Sequence, residues 1–594
     1  MLKPLATFLF VLSGVSSLSA ATYYLSPAGS DSNTGTASQP WATYPKAVSV
    51  AVAGDTVLVQ PGIYSHDVNT NRYPELGGVL YFGAAGTSNA LITFRALGPV
   101  TNQFEFYVSA PYYYFDGFTW DSSSAFYLHR GSGHVTMTNC TVQNTINGVA
   151  FTQQEPDSTQ GAIPETAPSY CTVINSTFNR MTNACCVTLM GVGNLVQGCT
   201  FANGAAQDSI YPFGSNNVIR LNVFTNMTTT PDGSGYGNHP DIMQVFGQNG
   251  VCSVNTLFEQ NYVVKCPIQL MQFETIEYGS VFPFGQPAYI TNSYLWGIVL
   301  RNNVFEDSNM QCSIDTPNAR FYNNTFRRCS NGGNLLSFAF YDPNNSSFRG
   351  AAYGGSVINN AFIDCSGSYS AVASGPSQGD LTNGTLQVKG RANISEGDST
   401  FYVWGVFSNL SGTITSGTLG YSGGDFYTIN ATSFTNGAFN VTIPINDPAN
   451  GFSSGIQFGS YNAGGMVFRL NTTAVTNGEV KAALLPYAPD MSAIYAASDY
   501  NYKGKSSELH GLQSGDTKPT ATNGYPAALA APMLGSVLIG AGTNLGSLGV
   551  TNDFSGNARP LSSSFDIGAF EYTGGHTQSR PMAPAHLSVV LPGM

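Results

Sequence analysis

A short asparagine-rich phrase ending in a large apolar residue recurs through the middle of this chain. It reads TNCTV at Val142, INSTF at Phe178, QGCTF at Phe201, RLNVF at Phe224, EQNYV at Val263, RNNVF at Phe305, YNNTF at Phe326 and INNAF at Phe362. YFDGF at Phe118 reads as an earlier member. Successive spacings from Phe118 are 24, 36, 23, 23, 39, 42, 21 and 36 residues. The short ones gather near a unit of about 22, and the long ones are that unit plus an insertion. Each phrase alternates apolar and polar residues, as a strand with one buried face does, and Gly and Asn punctuate every unit. A period this short, with several strands and no helix, fits a β-solenoid. Each coil stacks on the last at about 4.8 Å, so like positions form columns.

Two columns support that reading. Three residues after the apolar anchor stand Met181, Met227, Cys266, Cys329 and Cys365, an inward set. Two residues after it stand Asn144, Arg180, Asn203, Asn226, Lys265, Asp307, Arg328 and Asp364, an outward set. The doubled asparagines Asn302-Asn303, Asn323-Asn324 and Asn359-Asn360 suit a turn that visits left-handed backbone and stacks side-chain amides. The cysteines form either a ladder of buried thiols or, more sharply, a Cys329–Cys365 bridge between neighbouring coils.

Composition narrows the class. Only 9% of the 594 residues are charged, against about 25% in an average soluble protein. Gly, Ser, Thr and Asn fill the gap, and all are poor helix formers. The 32 Tyr and 37 Phe supply a core, which argues against disorder. A net charge of -12 argues against a nucleic-acid partner, which needs a basic face. Lys3, the uncharged apolar stretch Leu5 to Leu18 and the small residues Ser19-Ala20-Ala21 read as an export signal, residues 1–21, cleaved near Ala20 or Ala21. That stretch is too short to span a bilayer, and no later segment has about 18 apolar residues in a row, so no transmembrane segment is expected. The mature chain is expected as a secreted or cell-surface monomer. Ten cysteines permit disulfides there, without making a disulfide scaffold.

The two ends resemble a family. YYLSPAGSDSNTGTASQPWATYPKAV and AGDTVLVQPGIY, within residues 23–64, look like the opening of secreted right-handed parallel β-helix proteins of the pectate-lyase-like superfamily. The resemblance implies a capping helix and first coil there, with LITFRALG at 91–98 as the next rung. SDYN at 498–501, IGAGTNLG at 539–546 and NARPLSSSFDIGAFEY at 557–572 resemble a closing segment of such exported proteins, sometimes called a choice-of-anchor module. The expected fold is all-β: a right-handed parallel β-helix over 22–375 with an N-terminal cap, closed by 491–572. Residues 376–490 lack the 22-residue phrase and carry alternating runs such as TFYVWGVF and AFNVTIPIN, so an inserted β-rich domain is expected. Residues 573–594 read as a loose tail.

A second strand of each coil aligns as well. DSIYPFG at 208–214 matches DIMQVFG at 241–247, flanked by CVTLMG at 186–191, IQLMQFE at 268–274 and CSID at 312–315. Long insertions border this strand, at 151–169, 275–294 and 341–355 after it and 228–240 before it. They would wall a groove floored by the stacked strand. The walls are aromatic, with Tyr236 and Trp296 among them, and aromatic faces stack on sugar rings.

GNHPDIMQ at 237–244 resembles the His-x-Asp-x-x-Gln phrase of many such proteins. His239 and Asp241 are therefore candidate catalytic groups, with Lys265 and Arg301 as cations on following coils. Gln244, Tyr236, Gln272, Glu274 and Trp296 are candidate substrate contacts. Asp208 and Asp241, one coil apart, are candidate ligands for Ca²⁺, a hard cation that takes oxygen ligands. Asp241 and Gln244 fall on opposite faces of an ideal strand, so one points inward or a bulge intervenes.

Three functions compete. A polysaccharide lyase removes the proton α to a uronate carboxylate once that charge is neutralised. A glycoside hydrolase or epimerase would use the carboxylates as acid and base. A glycan-binding or adhesin-like surface protein would do no chemistry, because a fold does not fix a function.

Overall fold

The computed structural model describes residues 20–65, 80–122, 126–129, 131–144, 149–151, 168–181, 186–204, 208–212, 214–228, 241–245, 253–266, 271–274, 297–309, 312–315, 318–340, 355–373, 492–517, 532–560 and 564–572, and separate strands between 385 and 482. A typical coil holds three short strands. A leading strand such as Thr172–Ile174 is followed, two residues on, by an anchor strand, Thr177–Asn179. A floor strand, Val187–Leu189, completes the coil. Leading and anchor strands stack in one 21-stranded sheet and floor strands in an 11-stranded sheet. Every pairing within these two sheets is parallel. Along the anchor strands the register joins Phe178 to Phe201 and Phe201 to Phe224. Parallel connections within one sheet take the right-handed course. The fold is the expected right-handed parallel β-helix.

The anchor residues are the spine. Phe178, Phe201, Phe224, Val263, Phe305 and Phe326 are fully buried, and Phe362 nearly so. Neighbouring rings lie flat on one another, with centroids 4.7 Å apart for Phe201–Phe224 and 5.0 Å for Phe326–Phe362. Each such burial stabilises the fold by about 1.5–3 kcal/mol. The earliest member differs from the sequence reading. Val142 pairs with Trp120, not Phe118. Gly117 and Ser122 hold the left-handed turns on either side of that strand, at φ of 84° and 62°. Phe118 occupies the inward position two residues earlier.

Left-handed residues turn each coil. Asn302, Asn323 and Asn359 sit at φ of 54°, 51° and 59° between leading and anchor strands. The second asparagine of each pair points inward and forms a ladder: Asn303 Nδ2 donates to Asn324 Oδ1 at 2.9 Å, and Asn324 Nδ2 to Asn360 Oδ1 at 2.9 Å. Each also accepts a backbone N–H from the preceding coil, as Asn324 Oδ1 does from Asn303. The buried amides are thereby satisfied, which a burial without partners would penalise. The outward set after the anchor, Asn144 to Asp364, is a second left-handed corner, with every member at φ between 48° and 55°. The inward set behaves as expected, with Cys266 and Cys329 fully buried. Cys329 and Cys365 are free thiols, so the described state is the thiol ladder and not the bridge.

Helix Tyr44–Val50 caps the first coil, with Thr43 accepting from the Lys46 N–H. Leading strands Thr56–Val59 and Ile92–Asn102 follow it in register, matching the expected opening rungs. At the other end Asp499 bridges Ile358 and Tyr502 bridges Ala361. Asn501 extends the amide ladder by accepting from Asn360 Nδ2 at 3.1 Å. Residues 532–572 then fold back over the outer face of the leading and anchor strands, where Phe554 and Phe570 cover Val223, Tyr262 and Val304. The described strands between 385 and 482 pair antiparallel in two four-stranded sheets, unlike the coils.

Candidate functional site

The floor sheet alternates as a strand with one buried face must. Met243, Val245, Met271, Phe273, Cys312 and Ile314 point into the core and are buried. Between them Gln244 pairs with Gln272, and Gln272 with Ser313. Ile210 pairs with Met243, which puts Asp208 and Asp241 in register on neighbouring coils as the aligned phrases predicted. Both are buried at the entry to their strands. Asp208 Oδ1 accepts the Asp241 backbone N–H at 2.5 Å. This is the job the ladder asparagines do elsewhere, with a carboxylate in place of an amide.

The corner between anchor and floor strands bears an open depression over the same coils. A cavity of about 550 Å³ is lined by Asn203, Asn226, Thr228, Lys265 and Asp307. Four of these five are members of the left-handed corner column. Asn203 Nδ2 donates to Asn179 Oδ1 at 2.9 Å, so the amide row runs on past the cavity. Arg328 holds the Asp307 carboxylate with Nε at 2.5 Å and Nη2 at 2.6 Å. Those hydrogen bonds hold the Asp307 carboxyl below the usual carboxylate range. Arg328, rather than Lys265, is thus the principal partner of Asp307. An ammonium, two amides and a hydroxyl remain, a set that recognises a hydroxyl-rich anion.

The structure brings some predicted residues together and separates others. Lys265 is on the cavity wall, in the anchor-to-floor corner of the coil after Asp241. Gln244, Gln272 and Glu274 are on floor strands, with Glu274 paired to Asp315. Gln244 is buried. His239, Tyr236 and Trp296 lie outside the described residues. Arg301 stands apart from these residues. It stands on leading strand Val299–Arg301, on the side away from the floor, where its guanidinium donates to Glu259 at 2.8 Å and to the Gly549 carbonyl at 2.6 Å. The closing segment therefore uses Arg301 as a clasp and keeps it from the groove. Asp208 and Asp241, the expected Ca²⁺ pair, stand in register, and no third such ligand joins them among the described residues. One Asp208 oxygen is committed to a backbone N–H. Ca²⁺ takes six to eight oxygens.

Sequence reasoning missed Asn203, Asn226, Thr228 and Asp307. Their signal was present, since three of them belong to the outward column after the anchor, but it was read as scaffold. It also missed a polar patch on the first floor strands. Tyr81, Tyr107 and Tyr127 share one outward column. His129 stacks on Tyr107 with centroids 5.1 Å apart, and Ser109 donates to the Tyr81 hydroxyl at 2.6 Å. Burial pushes the Glu105 carboxyl up to about 8.

Comparison with known proteins adds three findings. Residues 27–74 match a family model described as a protein of unknown function, DUF1565. Pectate lyase L of Dickeya chrysanthemi is 29% identical over 164 residues, which are 26% of this chain and 36% of that one. The chain thus spans about a third of the length of this curated relative. Among solved structures, a rhamnogalacturonan lyase aligns with 16% identity and a TM-score of 0.35, covering 58% of this chain and 82% of that one. An alginate lyase from Paenibacillus sp. aligns with 13% identity and a TM-score of 0.35, covering 59% and 99%.

Proposed function

We propose that this chain, similar over part of its length to a pectate lyase, is an exported polysaccharide lyase that cleaves a uronate-containing polymer by β-elimination. The observation that carries the reading is the corner cavity, where the Lys265 ammonium faces outward among Asn203, Asn226 and Thr228. The stretch shared with pectate lyase L supports it. A uronate carboxylate seated there would pair with Lys265, and the amides and hydroxyl would take its hydroxyls. Neutralising that carboxylate acidifies the proton α to it, the requirement for elimination.

The insertion bearing Tyr236 and His239 leaves the chain directly after Thr228 and ends just before Asp241. In this reading His239 removes the α proton, the bond from the β carbon to the glycosidic oxygen breaks, and that oxygen is protonated as it leaves. The products are a new chain end and an unsaturated uronate. A histidine suits the role because an imidazole is the side chain whose unperturbed titration lies nearest neutral pH. Gln244, Gln272, Glu274, Tyr236 and Trp296 would line the path of the polymer, with Asp241 supporting the strand entry from its buried position. No step is assigned to calcium.

One observation favours glycan binding without chemistry. The floor positions in register with Gln244, which are Gln272, Ser313 and Ser337 on the three following coils, hold no basic residue. The test is a panel of acidic and neutral polysaccharides, polygalacturonate and alginate included, read by absorbance of the unsaturated uronate. New absorbance that falls about 10²-fold or more in folded His239→Ala supports the lyase. Reducing ends without that absorbance would replace it with hydrolysis, and binding without product would replace it with a glycan-binding protein.

A further inference from the structure

None of the eight described cysteines is in a disulfide. Register separates nearly all of them. Cys140 is followed in its column by Ser176, whose hydroxyl accepts the Cys140 N–H, and Cys199 by Asn222. Cys312 lies between Met271 and Leu336. Cys266 is followed by Ser308, which accepts its N–H at 3.2 Å. Cys329 and Cys365 are the exception among the described residues. Their anchors Phe326 and Phe362 are paired, and each cysteine stands three residues beyond its anchor, so the two occupy one column on adjacent coils.

Adjacent coils put their Cα atoms about 4.8 Å apart, within the roughly 4.4–6.8 Å that a disulfide spans. Each thiol donates to a backbone carbonyl, Cys329 to Phe305 at 3.5 Å and Cys365 to Ile363 at 3.3 Å. They differ in access: Cys329 is fully buried, whereas Cys365 is half-buried at the end of the stack. The difference gives an order of events. An oxidant reaches Cys365, whose thiol the neighbouring Cys329 thiol holds below its ordinary value, and Cys329 lies directly behind as the resolving group. The other described thiols are buried; those whose values are resolved, such as Cys266, are pushed up to about 12 by that burial. A thiolate is the nucleophile in exchange, so such thiols react slowly.

We propose that Cys329 and Cys365 are a dithiol modification site, which a small-molecule or protein disulfide oxidises to an intramolecular bridge. Cys365 thiolate attacks one sulfur of the oxidant disulfide, forming a mixed disulfide and releasing one thiol. Cys329, giving up its proton, attacks Cys365 Sγ and releases the second thiol. The chain loses two hydrogens and two electrons, and the oxidant is reduced to two thiols. The bridge closes residues 329–365 and locks the last two repeats before residues 376–490 to each other. It does not depend on the polysaccharide reading.

The test treats the folded chain with oxidised glutathione, quenches free thiols with an alkylating agent and digests with trypsin. Cleavage after Arg328, Arg349 and Lys389 puts the two cysteines in peptides 329–349 and 350–389. The expected result is those peptides joined, with loss of two alkylatable thiols per chain and restoration by dithiothreitol. Cys329→Ser, if folded, should instead accumulate a glutathione adduct on Cys365. A folded wild-type chain that keeps both thiols, or that holds glutathione on Cys365 without joining the peptides, would overturn the proposal. Because the wild type itself is measured, poor folding of a variant leaves the test intact.

Discussion

The anchor column and the floor sheet belong to the same coils yet obey different rules. In the anchor column a large apolar residue returns on each coil, most often Phe, and two residues link leading to anchor strand, as at Asn175-Ser176, Asn302-Asn303 and Asn359-Asn360. Flat phenylalanine stacks and the amide ladder that runs from Asn222 to Asn501 leave little room for variation, because a misplaced ring or an unpaired buried amide is penalised directly. On the floor the inward residues are similarly apolar, but the outward ones run from Tyr107 and Tyr127 through Thr188 and Tyr211 to Gln244 and Ser337. Insertions open beside it. The rigid column sets the rise of the coil, and the permissive sheet beside it is free to carry chemistry.

Breaking the rigid side should have the largest effect. Phe326→Ala removes a ring stacked between Phe305 and Phe362. It should cost about 3–5 kcal/mol in denaturant unfolding. A loss under about 1 kcal/mol would mean that the column is not the spine.

On the permissive side, Lys265→Met should lower kcat/KM on the responsive uronate polymer by about 10²-fold, the scale of removing one charge-stabilising donor, with the unfolding midpoint little changed. The matched Arg301→Met should do the reverse. It should weaken the fold by about 1–2 kcal/mol through the lost bonds to Glu259 and Gly549, and leave turnover within about threefold. If the two variants exchanged phenotypes, the assignment of cavity and clasp would be wrong.

A pH series sharpens the contrast between floor ends. Glu105 has a folded value near 8, raised by burial from 4.5. The folded chain therefore binds a proton there that the unfolded chain has released. Stability is fullest below about pH 4.5 for this group and declines as pH rises through about 8. Thermal midpoints of Glu105→Gln should consequently fall less than those of the wild type between pH 5 and 8. Parallel curves would remove Glu105 as the cause.

The smallest effect belongs to Asp208→Asn. An amide oxygen can accept the Asp241 N–H as the ladder asparagines do, so stability should change by less than about 1 kcal/mol. Turnover should be indifferent both to this substitution and to a calcium chelator. A calcium-dependent loss in Asp208→Asn would restore the metal reading.

Much of this molecule was written into its sequence. The period, the anchor phenylalanines, the left-handed asparagine corners and the Asp208–Asp241 register all follow from local patterns repeated at fixed spacing, and in-register stacking turns such repetition into columns. What the tertiary structure alone decided concerns residues that meet across long separations or by a shift of two positions. Trp120 displaced Phe118 as the first anchor because the inward face repeats every second residue, so pattern alone does not choose between them. Arg301 became a clasp because Gly549, 248 residues away, folds back upon it. The corner cavity arose because the left-handed turns of successive coils project their side chains into one space, where Lys265, Asn203 and Asn226 converge. Sequence supplies the repeat of such a turn, but the room beside it depends on how the neighbouring chain packs.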